Sequence, residues 1–186
     1  SCLGPILWAS APLEVEGYAD RICDTPQNLT GPMPVSTGSG AATYPAVAWN
    51  WTDYAVAWED TRNGNSEIYF ARVAADGTRL GTEKRITSLT VGSVKPSLAW
   101  NGTGYGLAWE DSTPGNAEIY WANLDADGLV TVGPLNLTNQ AASQWIPSLV
   151  WDGSGYGVAY MDTRNGNYDL YFQRLNSDGV RVGAEL

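Results

Sequence analysis

Residues 44–80 read YPAVAWNWTDYAVAWEDTRNGNSEIYFARVAADGTRL, and the chain writes this stretch three times. It returns as KPSLAWNGTGYGLAWEDSTPGNAEIYWANLDADGLV at 95–130 and as IPSLVWDGSGYGVAYMDTRNGNYDLYFQRLNSDGVR at 146–181, a spacing of 51 residues each time. Pro45, Pro96 and Pro147 are in register, as are Trp49, Trp100 and Trp151, then Asp60, Asp111 and Asp162. Gly64, Gly115 and Gly166 follow, and then the Asp-Gly pairs that begin at Asp76, Asp127 and Asp178. Self-similarity at a period near this length is the mark of a repeat architecture.

Each repeat offers four short strands. In the first they are expected near 44–49, 54–60, 67–74 and 82–88, rich in Val, Ile, Tyr and Trp and bounded by Gly, Asn and Asp. The linkers NWTD, NGTG and DGSG suit tight hairpins. No stretch has helical periodicity. The expected fold is all-β: a β-propeller of four-stranded antiparallel blades, three to the chain, beginning near 44, 95 and 146.

Residues 1–27 do not fit the repeat and read as an irregular arm carrying both cysteines, Cys2 and Cys23. These form a disulfide, or Cys2 serves as a lipid-anchor or inter-chain position; either reading points outside the cytosol. No signal peptide is visible, which suits a mature or trimmed form. Residues 28–43 match the end of a repeat, because Pro34-Val35-Ser36 lies 51 positions before Arg85-Ile86-Thr87. They read as a lone fourth strand. The third repeat stops near its own fourth strand, so the two ends are complementary. Three blades are too few for a ring. The expectation is therefore a homo-oligomer, two chains closing six blades by exchanging strands head to tail.

The run YAVAWEDTRNGNSEIYFARVAADG resembles the blade repeat of secreted bacterial propellers, akin to sialidase-like (BNR) blades that often read W-x-D-x-R-x-G-x-x-D-I-Y-x-x-R-S-x-D-G. The resemblance covers residues 28–186 and implies the fold. The Ser-x-Asp-x-Gly-x-Thr-Trp box of true sialidase repeats is absent.

Twenty acidic against ten basic residues give a net charge of −10. That argues against nucleic acid, whose phosphates need a basic footprint, and against an anionic membrane surface. No apolar run has the length of a membrane span. Histidine is missing, which removes the commonest general base and transition-metal ligand. The pairs Glu59-Asp60 and Glu110-Asp111 point to opposite faces of a strand, so neither pair works as one dyad. On these grounds the chain is expected not to be an enzyme.

The most polar repeated feature is the second hairpin: Asp60, Asn63, Asn65 and Glu67, then Asp111, Asn116 and Glu118, then Asp162, Asn165, Asn167 and Asp169. The carboxylates Asp60, Glu67, Asp111, Glu118, Asp162 and Asp169 are weak calcium candidates, and the set as a whole offers ligand contacts. The competing reading is that each Asp accepts turn amides while Asn-Gly supplies the turn. Nine Trp and ten Tyr against two Phe favour half-wet surfaces. Trp51 and Trp145 break the repeat beside loops and are candidates to stack on a sugar ring. The expected function is an extracellular, lectin-like glycan-recognition module with no cofactor. The alternative is a structural subunit of an extracellular assembly or filament.

Overall fold

The computed structural model describes residues 31–113 and 115–183. The chain divides into two compact units, Ser1–Pro32 and Met33–Leu186. Of the first, only residues 31 and 32, both exposed, are described. The arm, Cys2 and Cys23 lie outside the described residues. The second unit is all-β.

Twelve strands form three antiparallel sheets, with no helix among the described residues. Blade 1 contains β1 (Ala42–Trp49), β2 (Asp53–Asp60), β3 (Glu67–Ala74) and β4 (Arg79–Arg85). Blade 2 contains β5 (Ser93–Trp100), β6 (Gly104–Asp111), β7 (Glu118–Asp125) and β8 (Val130–Asn136). Blade 3 contains β9 (Gln144–Trp151), β10 (Gly155–Asp162), β11 (Asp169–Asn176) and β12 (Arg181–Val182). In every blade the strands lie side by side in chain order. The propeller expectation holds, with the fourth strand beginning about three residues earlier than the sequence suggested.

Alternation gives each blade a small face and a large face. In β2, Ala55 and Ala57 point one way; Tyr54, Val56 and Trp58 point the other. The small face of blade 1 (Ala46, Ala48, Ala55 and Ala57, with Ile68 and Phe70) packs on the large face of blade 2, built from Leu98, Tyr105, Leu107, Trp109 and Leu124. Blade 2 repeats the arrangement against blade 3, where Tyr156, Val158, Tyr160 and Leu175 form the large face. Gly106 shows why the first face is small: a Cβ there would lie 2.4 Å from the Tyr156 ring. Each buried large side chain contributes roughly 1.5–3 kcal/mol, so these two interfaces form the core.

Polar groups fix the spacing between blades. Asn50 Oδ1 accepts from the Thr52 and Asp53 amides at 3.0 and 2.8 Å, closing the first hairpin. Its amide nitrogen donates to Tyr105 Oη of the next blade at 2.9 Å. Asn101 does the same, donating to Tyr156 Oη at 2.8 Å.

Residues 33–37 are not a strand within this chain. Val35 instead packs with Trp58, Tyr69 and Ala71 on the large face of blade 1. Ile86 and Leu137, one and two repeats later, pack in the same way against the blades that follow them. The segment thus occupies a fourth-strand place, and among the described residues no strand pairs with it.

Candidate functional site

The inner strands β1, β5 and β9 each begin with a bulge. Thr43 faces Glu59 and Ala46 faces Ala57, so Tyr44 and Pro45 stand opposite the single residue Trp58. Lys95-Pro96 and Ile146-Pro147 occupy the same place in the other two blades. Tyr44, Lys95 and Ile146 have φ of 51°, 51° and 55°. A left-handed backbone in a non-glycine residue costs of order 1–3 kcal/mol and is rarest for a β-branched one. Bulges and stored strain both concentrate at functional sites. Together with their prolines, these three residues line a hollow of about 410 Å3. Tyr44 and Ile146 are exposed to it, and Lys95 Nζ donates to Glu110 Oε2 at 3.0 Å. The floor is therefore one aromatic ring, one aliphatic side chain, three prolines and a cation already paired.

Sequence reasoning missed this hollow. The in-register prolines were its signal, because proline within a sheet belongs on an edge strand or at a bulge.

The polar hairpins lie at the same end of the blades, and their groups are occupied by one another. Asp60 is buried and accepts from Trp58 Nε1, the Arg62 amide and Arg62 Nε, each at 2.9 Å. The Arg62 hydrogen bonds hold its carboxyl at about 2. Asp111 accepts from Ser93 Oγ at 2.7 Å and Trp109 Nε1 at 3.2 Å, and Asp162 from the Arg164 amide at 2.6 Å. Asn63 accepts from Tyr69 Oη. Asn65 donates to Glu67 and to the Leu89 and Val91 carbonyls; Asn116 makes the corresponding bonds to Glu118, Gln140 and Ala142. Glu67 also takes Arg85 Nη2 and the Leu89 amide at 2.9 Å, and Glu118 takes the Gln140 amide at 2.9 Å. Asn165 and Asn167 both donate to Asp169, at 3.1 and 2.7 Å. These bonds tie each hairpin to its own blade and, through Asn65 and Asn116, to the connection leading to the next blade. Among the described residues no three carboxylate, Cys or His side chains gather as a metal site.

The two tryptophans are not brought together. Trp51, 76% exposed with φ of 75°, sits in the β1–β2 turn, at the far end of the blades from the hollow. Trp145 lies beside Ile146 at the start of β9, its ring 5.6 Å from that of Tyr168. Of the two, Trp145 belongs to the end that carries the hollow.

No known protein-family model matches the chain, and no curated protein does. Among solved structures it is similar to the subtype N10 neuraminidase-like protein of A/little yellow-shouldered bat/Guatemala/060/2010, with a TM-score of 0.53 and 12% identity over 85% of this chain and 48% of that one. It is also similar to an endo-arabinase from Bacteroides thetaiotaomicron, with a TM-score of 0.57 and 17% identity over 83% of this chain and 57% of that one. The chain thus spans about half the length of each structure. At these identities the likeness shows the propeller fold.

The comparison corrects one expectation. The chain was expected not to be an enzyme, yet a solved structure sharing its fold is an endo-arabinase. The expectation rested on the missing histidine and on carboxylates adjacent in sequence, and neither excludes a pair drawn from separate blades. A propeller gathers side chains from different blades around one axis, so a working pair need not be neighbours on a strand.

Proposed function

We propose that the chain is a carbohydrate-recognising propeller segment and that the hollow framed by Tyr44, Lys95 and Ile146 is its binding site. The observation that carries this reading is the bulge itself. The same strained backbone recurs in all three blades, yet it presents three chemically different side chains to one space. A structural repeat alone gives no reason for that divergence. Tyr44 offers a flat ring for the apolar face of a sugar, and Trp145 stands beside the rim. The reading concerns recognition, the step that lectins and glycosidases share.

The charge distribution selects neutral sugars over acidic ones. Lys95 is the cation of the hollow and is held by Glu110, while the chain as a whole carries −10. An anionic glycan would meet a repulsive field and no free counter-charge. An extracellular setting is part of the same proposal, resting on the cysteine pair and the sialidase-like repeat resemblance.

A neutral-oligosaccharide panel measured by calorimetry tests the reading. Tyr44→Ala is expected to weaken the best binder at least tenfold, about 1.4 kcal/mol. Trp51→Ala, at the opposite end, is expected to leave it unchanged. Binding that survives Tyr44→Ala and falls with Trp51→Ala would move the site to the other end of the blades.

A further inference from the structure

A second cavity, of about 350 Å3, lies at the opposite edge of blade 1 from the hollow. Blades 1 and 2 build it, and each has its four strands. It opens where β4 departs from β3. Phe70 faces Lys84 and Arg72 faces Leu80, so Gly81, Thr82 and Glu83 stand opposite the single residue Ala71. In blade 2 only Gly133 and Pro134 stand opposite Ala122. Gly81 holds a left-handed backbone, φ 70°, and a Cβ there would meet nothing within 4 Å. Asp127 and Leu129, from the turn between β7 and β8, form the far wall. Bulges gather at sheet edges and beside functional sites.

Two cations converge on this space in a chain that has only ten. Arg72 is clamped from behind: Nε and Nη2 donate to the buried Asp53 carboxylate at 3.0 and 2.6 Å. Its Nη1 remains, and donates to Asp127 Oδ1 at 2.6 Å. Lys84 Nζ donates to the Asp127 carbonyl. The next junction keeps neither charge. One repeat later, Arg72 is Asn123, Lys84 is Leu135 and Gly81 is Val132. Asn123 donates to the Ser177 carbonyl at 2.7 Å and spans that junction without an ion pair. Joining two blades therefore requires no cation at these positions.

We infer that this cavity binds a small organic carboxylate, and that the Asp127 side chain stands in the carboxylate's place until one arrives. The clamp decides which partner moves. Arg72 is fixed by a fork on a buried acid, whereas the Asp127 side chain is 69% exposed. An ion pair with an exposed member is worth little, so exchanging it for a ligand's carboxylate costs little. The turn does not depend on that side chain either. Asp125 Oδ1 accepts from the Asp127 and Leu129 amides at 3.0 and 2.8 Å and holds the turn. An incoming carboxylate meets Arg72 Nη1 and the Lys84 ammonium, and charge-assisted hydrogen bonds are the strong ones. Phe70, Leu80 and Leu129 offer an apolar wall to the rest of the molecule. A carboxylate carried on a ring or a short chain suits this combination, and the volume is that of a small-molecule site. The cavity is separate from the hollow and stands whether or not the hollow binds a sugar.

Calorimetry of the intact 186-residue chain with D-glucuronate, D-glucose and inorganic phosphate tests this. Glucuronate is expected to bind the wild-type chain. Lys84→Gln should weaken it at least about tenfold, the loss of one charge-assisted hydrogen bond. Asp127→Asn should tighten it about two- to fivefold, because the internal competitor loses its charge. Neither residue is buried, and effects of opposite sign cannot both come from damage to the fold. Any binding of glucose should respond to neither variant, since glucose lacks the carboxylate. A wild-type chain that does not bind glucuronate at millimolar concentration, or an Asp127→Asn variant that binds it more weakly, would overturn the proposal. Phosphate bound more tightly than glucuronate would overturn the assignment to a carboxylate. Glucuronate binding that is lost in Tyr44→Ala and unaffected in Lys84→Gln would place the ligand in the hollow and overturn it too.

Discussion

Asp60 shows how much of the polar pattern in this chain serves the blade. It is buried at the end of β2, and four donors from Trp58 and Arg62 surround it. Arg62 also lies 4.3 Å over the Tyr69 ring and bonds Glu83. Its hydrogen bonds hold the Asp60 carboxyl at about 2, below its ordinary 3.8. A group whose folded pKa is lowered adds stability above its unfolded pKa and loses it as the pH falls through the folded one. The contribution of Asp60 should therefore be complete above about pH 4 and gone near pH 2. Asp60→Asn is expected to lower the stability at neutral pH by of order 1–3 kcal/mol and to flatten the acid limb of the unfolding curve over that window. Urea melts of both proteins at several pH values check it; parallel curves would mean that Asp60 is not the titrating group. The sequence placed Asp60, Asp111 and Asp162 in register and left open whether they hold a hairpin or meet a ligand. Only coordinates could decide, because the deciding donors include Ser93, eighteen residues from Asp111.

The strands were legible from alternation, since Ala and Gly on one face and Tyr, Val and Trp on the other need nothing but a period of two. The bulge was not. Its residues Tyr44, Lys95 and Ile146 differ in every respect except position, so no pattern search on side-chain chemistry would group them. The prolines after them were conspicuous in the sequence but read there only as markers of register. The fourth strand was misplaced for a related reason: β4 carries Arg79, Glu83, Lys84 and Arg85, and strong β-formers are too few there to mark its start. The strain at the bulge has a measurable signature. Glycine inside a strand ordinarily costs roughly 0.5–1 kcal/mol, but at a left-handed position it removes a penalty of about 1–2 kcal/mol. Ile146→Gly is therefore expected to keep or raise the melting temperature, while Leu149→Gly, three residues along the same strand, lowers it by several degrees. A loss at Ile146 as large as that at Leu149 would mean that the bulge is not strained.

The three blades stack small face on large face, and both junctions close on the same repeat positions. Ile68 and Ile119 are fully buried at one repeat position, Tyr105 and Tyr156 at another, and Phe70 and Trp121 at a third. The repeat thus supplies its own standard for a completed interface. Calorimetry with a panel of neutral oligosaccharides tests the central claim, a binding hollow at the three bulges, most directly. The account predicts that Tyr44→Ala weakens the best binder at least tenfold, about 1.4 kcal/mol, while Trp51→Ala leaves it unchanged. Binding that survives Tyr44→Ala and falls with Trp51→Ala would contradict it.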